Sequence, residues 1–457
     1  MQKTLTKEFI ALLQQSLPMS EATAIVDCID KIPNVSIRIN RHKIAGINQL
    51  IPSMILRPIV HCEDGFLLSR RISFTGDPAF HAGGYYVQEA NSMVIGHVAQ
   101  ELLKTMPKGI VALDLCGAPG GKSTHISSVL RDGDLLVANE TIASRCAVLL
   151  ENLCKWGQAN HVVTTSSAQN LGKLRGLFHL VLADMPCSGE GMFRKNPTAL
   201  NEWSIGNVQL CSERQQRIAH DIWPSIAEGG YLVYSTCTYN KKENENNING
   251  LLNSLHAQTI KLAIPKEWNV LETEPGMYRM MPHQTDGEGF FFSVLQKTQK
   301  EKCVLQKKIS VHTCKNLPAF LGEAHLGYEE KGGLLLIKNG HWFQHYPNLP
   351  SLLPQVKQIG INAGLSNKKK WKPHSEYDLM INKIDHYPII PVDAETALRY
   401  YKREFLPIKT ALKGGVGLRW KGLSLGTANA LSHGLNNLWP MSWRILNQSL
   451  KPDTLLI

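Results

Sequence analysis

Cys187 and Cys237 each close an apolar run, the first in Asp184-Met-Pro-Cys187-Ser-Gly-Glu-Gly and the second in Ser235-Thr-Cys237-Thr. A lone cysteine in such a place is usually a small core residue. Two at equivalent strand ends, one beside Asp-x-Pro, favour a nucleophilic role. A thiolate attacks well near neutral pH when a cationic or dipolar group lowers its pKa, and Lys122 is the candidate cation. If the two strands flank a common crevice, Cys187, Cys237 and Asp184 open onto one site.

A third strand end supplies what the thiols would work with. Val111-Ala-Leu-Asp-Leu reads as a buried parallel strand, and Cys116-Gly117-Ala118-Pro119-Gly120-Gly121-Lys122 reads as a backbone-exposing turn into a helix. Donor N–H groups and the positive end of a helix dipole converge there. The turn is not a phosphate-binding P-loop, because position 116 holds cysteine where that pattern needs glycine, and it is not Gly-x-Gly-x-x-Gly. Glu140 ends the next strand about 20 residues on, where a carboxylate accepts ribose hydroxyls. Together the loop and Glu140 point to an adenosine-containing cofactor.

These ends require an alternating α/β core. Strands are predicted over Ile110–Cys116, Asp134–Glu140, His161–Ser166, His179–Met185 and Gly230–Cys237, with helices over Lys122–Arg131, Ala143–Trp156 and Glu202–Ile226. Met277–Met281 and Phe290–Gln296 read as a hairpin closing the sheet. In such a sheet ligands gather beyond the carboxyl ends of the strands. Ahead of this core, residues 1–78 carry two amphipathic helical patterns and the strand Val35–Asn40, a small α/β appendage. Pro78–Asn91 reads as a linker into a helix over Ser92–Leu103. Behind it come a lysine-rich linker (Thr298–Lys308), a small α/β unit over 309–385 and a mostly β RNA-binding module over 394–457, with the core at 79–297.

The chain of 457 residues carries a net charge of +11. Residues 301–457 hold 21 Lys+Arg against 11 Asp+Glu, which leaves only +1 for residues 1–300. A C-terminal basic surface of this kind favours a polyanion, and nucleic acid over membrane because no long apolar span accompanies it. It predicts that residues 301–457 supply most of the affinity for RNA. Arg38, Arg41, the loop Phe193-Arg194-Lys195-Asn196-Pro197 and the cluster Lys368-Lys-Lys-Trp371-Lys372 each fit either phosphate contact or a plain solvated surface. Ten cysteines in a chain of this length make no disulfide framework, none has zinc spacing, and no signal sequence or transmembrane segment is legible. Reduced thiols, no metal, no membrane association, a cytoplasmic location and a monomer are the expectations.

The motifs Asp114-Leu-Cys-Gly-Ala-Pro-Gly-Gly-Lys122, Asp184-Met-Pro-Cys187-Ser-Gly-Glu-Gly and Ser235-Thr-Cys237 resemble the signatures of the Nop/Sun (NSUN) family of RNA 5-methylcytosine methyltransferases, which use S-adenosylmethionine. Tyr85-Tyr-Val-Gln88-Glu89 and Arg194-Lys-Asn-Pro197 fit as well. The C-terminal part, with Gly422-Leu-Ser-Leu-Gly426 and Asn437-Leu-Trp-Pro440, resembles the bacterial RsmF/YebU branch, which methylates 16S ribosomal RNA. The resemblance is firmest over about 80–300. It implies a Rossmann-like S-adenosylmethionine-dependent core, a small N-terminal α/β domain and two small C-terminal domains, the last PUA-like. It implies that Cys116–Lys122, Glu140, Ser167 and Asp184 hold the cofactor, and that ribosomal RNA or the small ribosomal subunit is the partner.

The chemistry implied by that match uses both thiols. Carbon 5 of cytosine is a poor nucleophile until another nucleophile adds at carbon 6. By the match, Cys237 makes that attack, Asp184 hydrogen-bonds or protonates N3, Lys122 polarises the site, and Cys187 assists release. The target base must be flipped or unpaired. Ser166-Ser167 departs from the family's frequent aspartate at the adenine amine, and Asn91 stands where serine is commoner. Methylation of transfer RNA and a catalytically idle ribosome assembly factor are the alternatives.

Overall fold

The computed structural model describes residues 5–303, 325–330, 333–338, 352–367, 370–383, 385 and 387–456. Helices α1 (Lys7–Ser16) and α2 (Met19–Ile29) precede an antiparallel sheet of β1 (Ser36–Ile39), β2 (Ile55–Ile59), β3 (Cys62–Leu68) and, after the short α3 (Pro78–His81), β4 (Tyr85–Val87), in the order β2-β3-β1-β4. The stretch read as a linker therefore contains a strand. Because β4 pairs with β1, the expected boundary at 78 cuts through this sheet.

Helix α4 (Val94–Thr105) leads into β5 (Val111–Asp114), α5 (Gly121–Val129), β6 (Leu135–Asn139), α6 (Ala143–Trp156), β7 (His161–Thr164), α7 (Ala168–Gly172) and β8 (Phe178–Asp184). Then follow α8 (Pro197–Glu202), α9 (Ile205–Ile222), β9 (Ile226–Thr236), α10 (Glu245–Ser254), β10 (Ala257–Thr259), β11 (Leu271–Glu274), β12 (Met277–Met280) and β13 (Phe290–Lys297). The helix expected over Glu202–Ile226 is interrupted. Ser204 adopts extended backbone and its hydroxyl accepts from Asn207 N–H, so a new helix starts at Ile205.

The C-terminal part contributes β14 (His325–Glu330), β15 (Gly333–Lys338), β16 (Val356–Ile359), β17 (Ile361–Asn367), β18 (Lys370–Pro373), α11 (Ser375–Leu379), β19 (Ile389–Pro391), α12 (Ala394–Tyr401), β20 (Gly414–Trp420), β21 (Leu423–Leu431) and β22 (Gly434–Asn437). The central sheet runs β11-β12-β13-β9-β8-β5-β6-β7-β16, with β10 also pairing β13. Strands β5 to β9 are parallel within it, and β13 returns antiparallel to β9. The unit expected over 309–385 is thus not wholly separate, since β16 extends this sheet beside β7. Much of that unit lies outside the described residues, as do the side chains of the Lys368–Lys372 cluster.

Alternation of the apolar runs explains why the sheet is buried on both faces. Val111, Leu113, Leu135 and Val137 pack into one core, while Ala112, Leu136, Ala138, Leu180 and Leu182 pack into the other. A third core joins the two ends of the chain: Ile37, Ile39 and Tyr85 of the N-terminal sheet pack with Tyr400, Tyr401, Trp439, Leu455 and Leu456. Ile51 N–H donates to Leu455 O at 2.8 Å, and Leu455 N–H donates to the buried Asp77 carboxylate at 3.0 Å. No helix of the described residues is long and apolar enough to cross a membrane.

Candidate active site

Chain order reverses across the sheet at β5, which has β6 on one side and β8 on the other. A crevice opens at such a point beyond the strand ends. The segment from Leu115 leaves β5 there, guided by Gly117 N–H donating to Asn139 O at 2.8 Å. A Cβ on Gly117 would sit 2.7 Å from Ser123 Oγ, so only glycine lets the loop approach α5 this closely. Gly120 has φ of 119°, which glycine adopts freely, and it forms the N-cap of α5. The Ala118–Pro119 peptide is cis.

The predicted residues converge on two adjoining cavities. The larger, about 830 Å³, is lined by Cys116, Ala118, Glu140, Ser167, Asp184, Cys187 and Cys237. The smaller, about 310 Å³, is lined by Cys116, Gly117, Ala118, Pro119, Gly121, Lys122 and Asp184. Gly120 lines neither and shapes the turn instead. The expected strand arrangement is sharpened: β8 flanks β5 directly and β9 lies next to β8. That adjacency brings Cys187 and Cys237 to an Sγ–Sγ distance of 3.3 Å.

Asp184, at the end of β8, links the two cavities. Lys122 Nζ donates to its Oδ2 at 2.8 Å, and Ser235 Oγ donates to its Oδ1 at 2.8 Å. Burial alone would lower the pKa of Lys122, yet the Asp184 carboxylate outweighs it and holds the ammonium charged. Phe290 covers Lys122, with Nζ 5.2 Å from the ring centre. Cys187 is held strongly in the thiol form, first by its hydrogen bond to Cys237 and then by burial. Burial with nearby carboxylates keeps Cys116 protonated too, so it is no competing nucleophile.

The two cysteine loops brace each other. Glu190, four residues before Arg194, accepts from Tyr239 N–H at 2.7 Å and Asn240 N–H at 3.0 Å, just beyond Cys237. Glu243, from the Cys237 side, accepts from Ser188 N–H at 3.0 Å, beside Cys187. Gly191 N–H donates to Cys237 O at 2.8 Å, and a Cβ on Gly191 would lie 2.7 Å from that oxygen. The fixed thiol geometry is therefore a property of buried hydrogen bonds.

Glu140 keeps its place through Ile142 N–H, which donates to Oε1 at 3.0 Å, and Arg145, 3.6 Å from Oε2. Ser167 is exposed on the wall of the larger cavity, and its Oγ caps α7 by accepting from Asn170 N–H at 3.2 Å. Several further residues around the site have no role assigned from the sequence. Asp114 is buried, and Ser123 Oγ donates to its Oδ2 at 2.6 Å while Oδ1 has no hydrogen-bond partner. Burial raises its pKa to about 7. Its signal was an acid closing the apolar run Val-Ala-Leu. Arg214 and Arg217 line the larger cavity from α9, and the i, i+3 spacing on one helix face was their signal.

Two basic candidates turn inward. Arg38 is 1 % exposed, donates to Gln88 Oε1 at 2.9 Å and Thr124 Oγ1 at 2.7 Å, and lies 4.3 Å from the Trp156 ring centre. It clamps the N-terminal sheet to α5 and is not placed to meet phosphate. Arg194 is buried against Glu288, its Nε donating to Oε2 at 2.9 Å. Arg41 stays at the surface and pairs with Asp64 and with Glu63, the latter at 2.8 Å. The nine described cysteines are all free.

A parallel sheet with this switch point and a closing antiparallel strand is the fold of S-adenosylmethionine-dependent methyltransferases. Among solved structures, NSun6 from Pyrococcus horikoshii, determined with SFG, matches with a TM-score of 0.55 at 20% identity over 66% of this chain and all of that one. PH0851 matches with a TM-score of 0.59 at 24% identity, covering 64% of this chain and 66% of its own. Sequence relatives narrow the class. Ribosomal RNA small subunit methyltransferase F of Shewanella baltica (strain OS195) is 30% identical over 467 residues, spanning 95% of this chain and 96% of the relative. That of Shewanella sp. (strain MR-4) is 29% identical with the same coverage. Residues 101–296 match the family description of 16S rRNA methyltransferase RsmB/F, 5–90 the N-terminal domain of 16S rRNA methyltransferase RsmF, and 387–445 the RsmF PUA domain. The chain belongs to the ribosomal RNA small subunit methyltransferase F family.

Proposed function

We propose that this protein transfers a methyl group from S-adenosylmethionine to carbon 5 of a cytosine in 16S ribosomal RNA, with Cys237 as the nucleophile. The observation that carries the reading is the 3.3 Å thiol pair, which with Asp184 opens onto the cavity that Glu140, Cys116 and Ala118 also line, while Lys122 pairs with Asp184 from the adjoining smaller cavity. The family relatives named for small-subunit ribosomal RNA support the substrate.

The cavity suits the cofactor. The Glu140 carboxylate on the wall of the larger cavity, and a Cys116–Gly121 loop drawn close to α5 because Gly117 has no Cβ to meet Ser123 Oγ, are features an adenosyl amino acid requires. Glu140 would take the ribose hydroxyls and the Cys116–Gly121 loop the amino acid end, with Ser167 on the adenine side. When bound, S-adenosylmethionine supplies the electrophilic methyl group.

The protein's own steps follow from its protonation states. Cys237 Sγ bonds to carbon 6 of an unpaired cytosine, and the proton it gives up is delivered to N3 through Asp184, which Ser235 and Lys122 orient. Two anionic sulfurs 3.3 Å apart would repel, so Cys187, held as a thiol by its hydrogen bond to Cys237 and by burial, keeps its proton while Cys237 attacks. Once Cys237 is bonded to carbon 6, its hydrogen bond with Cys187, the chief cause of the raised Cys187 pKa, is lost. Cys187 then loses its proton to solvent and its thiolate takes the carbon 5 proton, after which the electrons left at carbon 5 expel Cys237 from carbon 6 and N3 gives back its proton. Bisulfite sequencing of ribosomal and transfer RNA from cells carrying the active chain or Cys237→Ala tests substrate and site together. One 16S cytosine lost in the variant supports the proposal, and loss confined to transfer RNA overturns its substrate.

A further inference from the structure

A groove of about 620 Å³ crosses the N-terminal sheet and is lined by Ile32, Leu56, Arg70, Arg71 and Lys195 among others. It meets the smaller active-site cavity at Val87, Gln88 and Glu89, which line both. We propose that this groove holds the single-stranded ribosomal RNA nucleotides that flank the target cytosine, a proposal that rests on the methyltransferase reading above.

Three observations point to that occupant. The lining cations Arg70, Arg71 and Lys195 are exposed, whereas the lining acid Glu89 is consumed internally. Its oxygens accept from the backbone N–H groups of Asn91 at 3.1 Å, Ser92 at 2.8 Å and Glu288 at 2.7 Å. The groove therefore presents positive charge to a phosphate chain. Ile32 and Leu56 are 91 % and 60 % exposed, among the most exposed large apolar side chains described, and both face this groove. Apolar platforms beside a cationic track suit unpaired bases better than a duplex, whose bases are stacked away. The smaller cavity shares Asp184 and Met192 with the larger one that Cys237 lines, so a base placed at Cys237 can leave its neighbours along a continuous path into the groove.

Two of the cations have acidic neighbours: Arg70 lies 3.2 Å from Asp453, and Lys195 lies 3.6 Å from Glu288, which Arg194 already pairs at 2.9 Å. The test compares full-length wild type with Arg71→Ala/Lys195→Ala and with Ile32→Ser/Leu56→Ser, using a 16S rRNA transcript and assembled small subunits as probes. The cationic pair should raise KM for the transcript about tenfold and flatten the slope of log affinity against log salt by about 1.4, as two single-strand phosphate contacts require. The apolar pair should weaken binding without changing that slope. In both, kcat at saturating RNA and affinity for S-adenosylmethionine should stay at the wild-type value. An active wild type with unmoved KM and salt slope in the cationic variant overturns the groove alone. A cationic variant that keeps its transcript affinity but binds subunits poorly also overturns it, in favour of a ribosomal protein contact. A wild type that methylates no RNA overturns the methyltransferase reading itself.

Discussion

The sulfur atoms of Cys187 and Cys237 lie 3.3 Å apart although 50 residues separate them in the chain. This distance divides the labour of the two thiols and makes their variants distinguishable. Cys237→Ala should abolish methyl transfer and leave no RNA adduct. Cys187→Ala should let a covalent protein–RNA species accumulate, read as a slow band on a denaturing gel. Equal turnover of Cys237→Ala and wild type would refute the assignment.

Asp184 touches Lys122 and Ser235 rather than the cofactor loop's backbone, so its loss should act on chemistry more than on cofactor affinity. Asp184→Asn is expected to lower kcat by about 10²-fold or more, the scale of a lost electrostatic partner at a reacting centre. S-adenosylmethionine affinity by calorimetry should change by less than about threefold. Lys122→Arg should not rescue Lys122→Met, because a planar guanidinium does not reproduce a point ammonium under Phe290.

Asp114 gives a pH signature. Its folded pKa of about 7 lies above the ordinary 3.8 because of burial, so the folded state binds more protons than the unfolded state between those values. Stability contributed by this group is present below about pH 4 and declines as pH rises to about 7. Thermal unfolding of the cofactor-free protein should show Asp114→Asn gaining on wild type across that window, with a constant difference above it. A difference that does not vary with pH would contradict the buried carboxyl.

The shared core of the two chain ends changes what a truncation can report. The charge imbalance alone implies that a 1–300 fragment reports only the loss of RNA affinity. However, that cut removes Tyr400, Trp439, Leu455 and Leu456 from against Ile37 and Tyr85. The fragment should unfold at lower temperature and bind a hydrophobic dye. Within the full chain, Leu455→Ala should cost about 2–5 kcal/mol, as buried leucine truncations do. Denaturant midpoints of the full chain and the variant check this.

Much of the site was legible in the sequence because strand ends in a parallel sheet are local events. Asp184, Cys187 and Cys237 follow apolar runs, and β8 beside β9 brings them together. Burial was not legible where a charged residue finds a distant partner. Arg38 reads as a surface strand residue until Gln88 and Thr124 are folded against it, and Arg194 until Glu288 is. The backbone hydrogen bonds that Glu190 and Glu243 accept to brace the two cysteine loops span about 50 residues, beyond any local pattern. Likewise, the pairing of β16 with β7 joins segments that composition separates.

The most direct measurement is mechanism-based trapping with 16S RNA containing 5-fluorocytosine, whose carbon 5 cannot be freed for release, followed by mass spectrometry of the cross-linked peptide. A covalent complex is expected to form only with S-adenosylmethionine turnover and to be attached through Cys237. A complex attached through Cys187, or none while ordinary RNA is methylated, would contradict the assignment of Cys237.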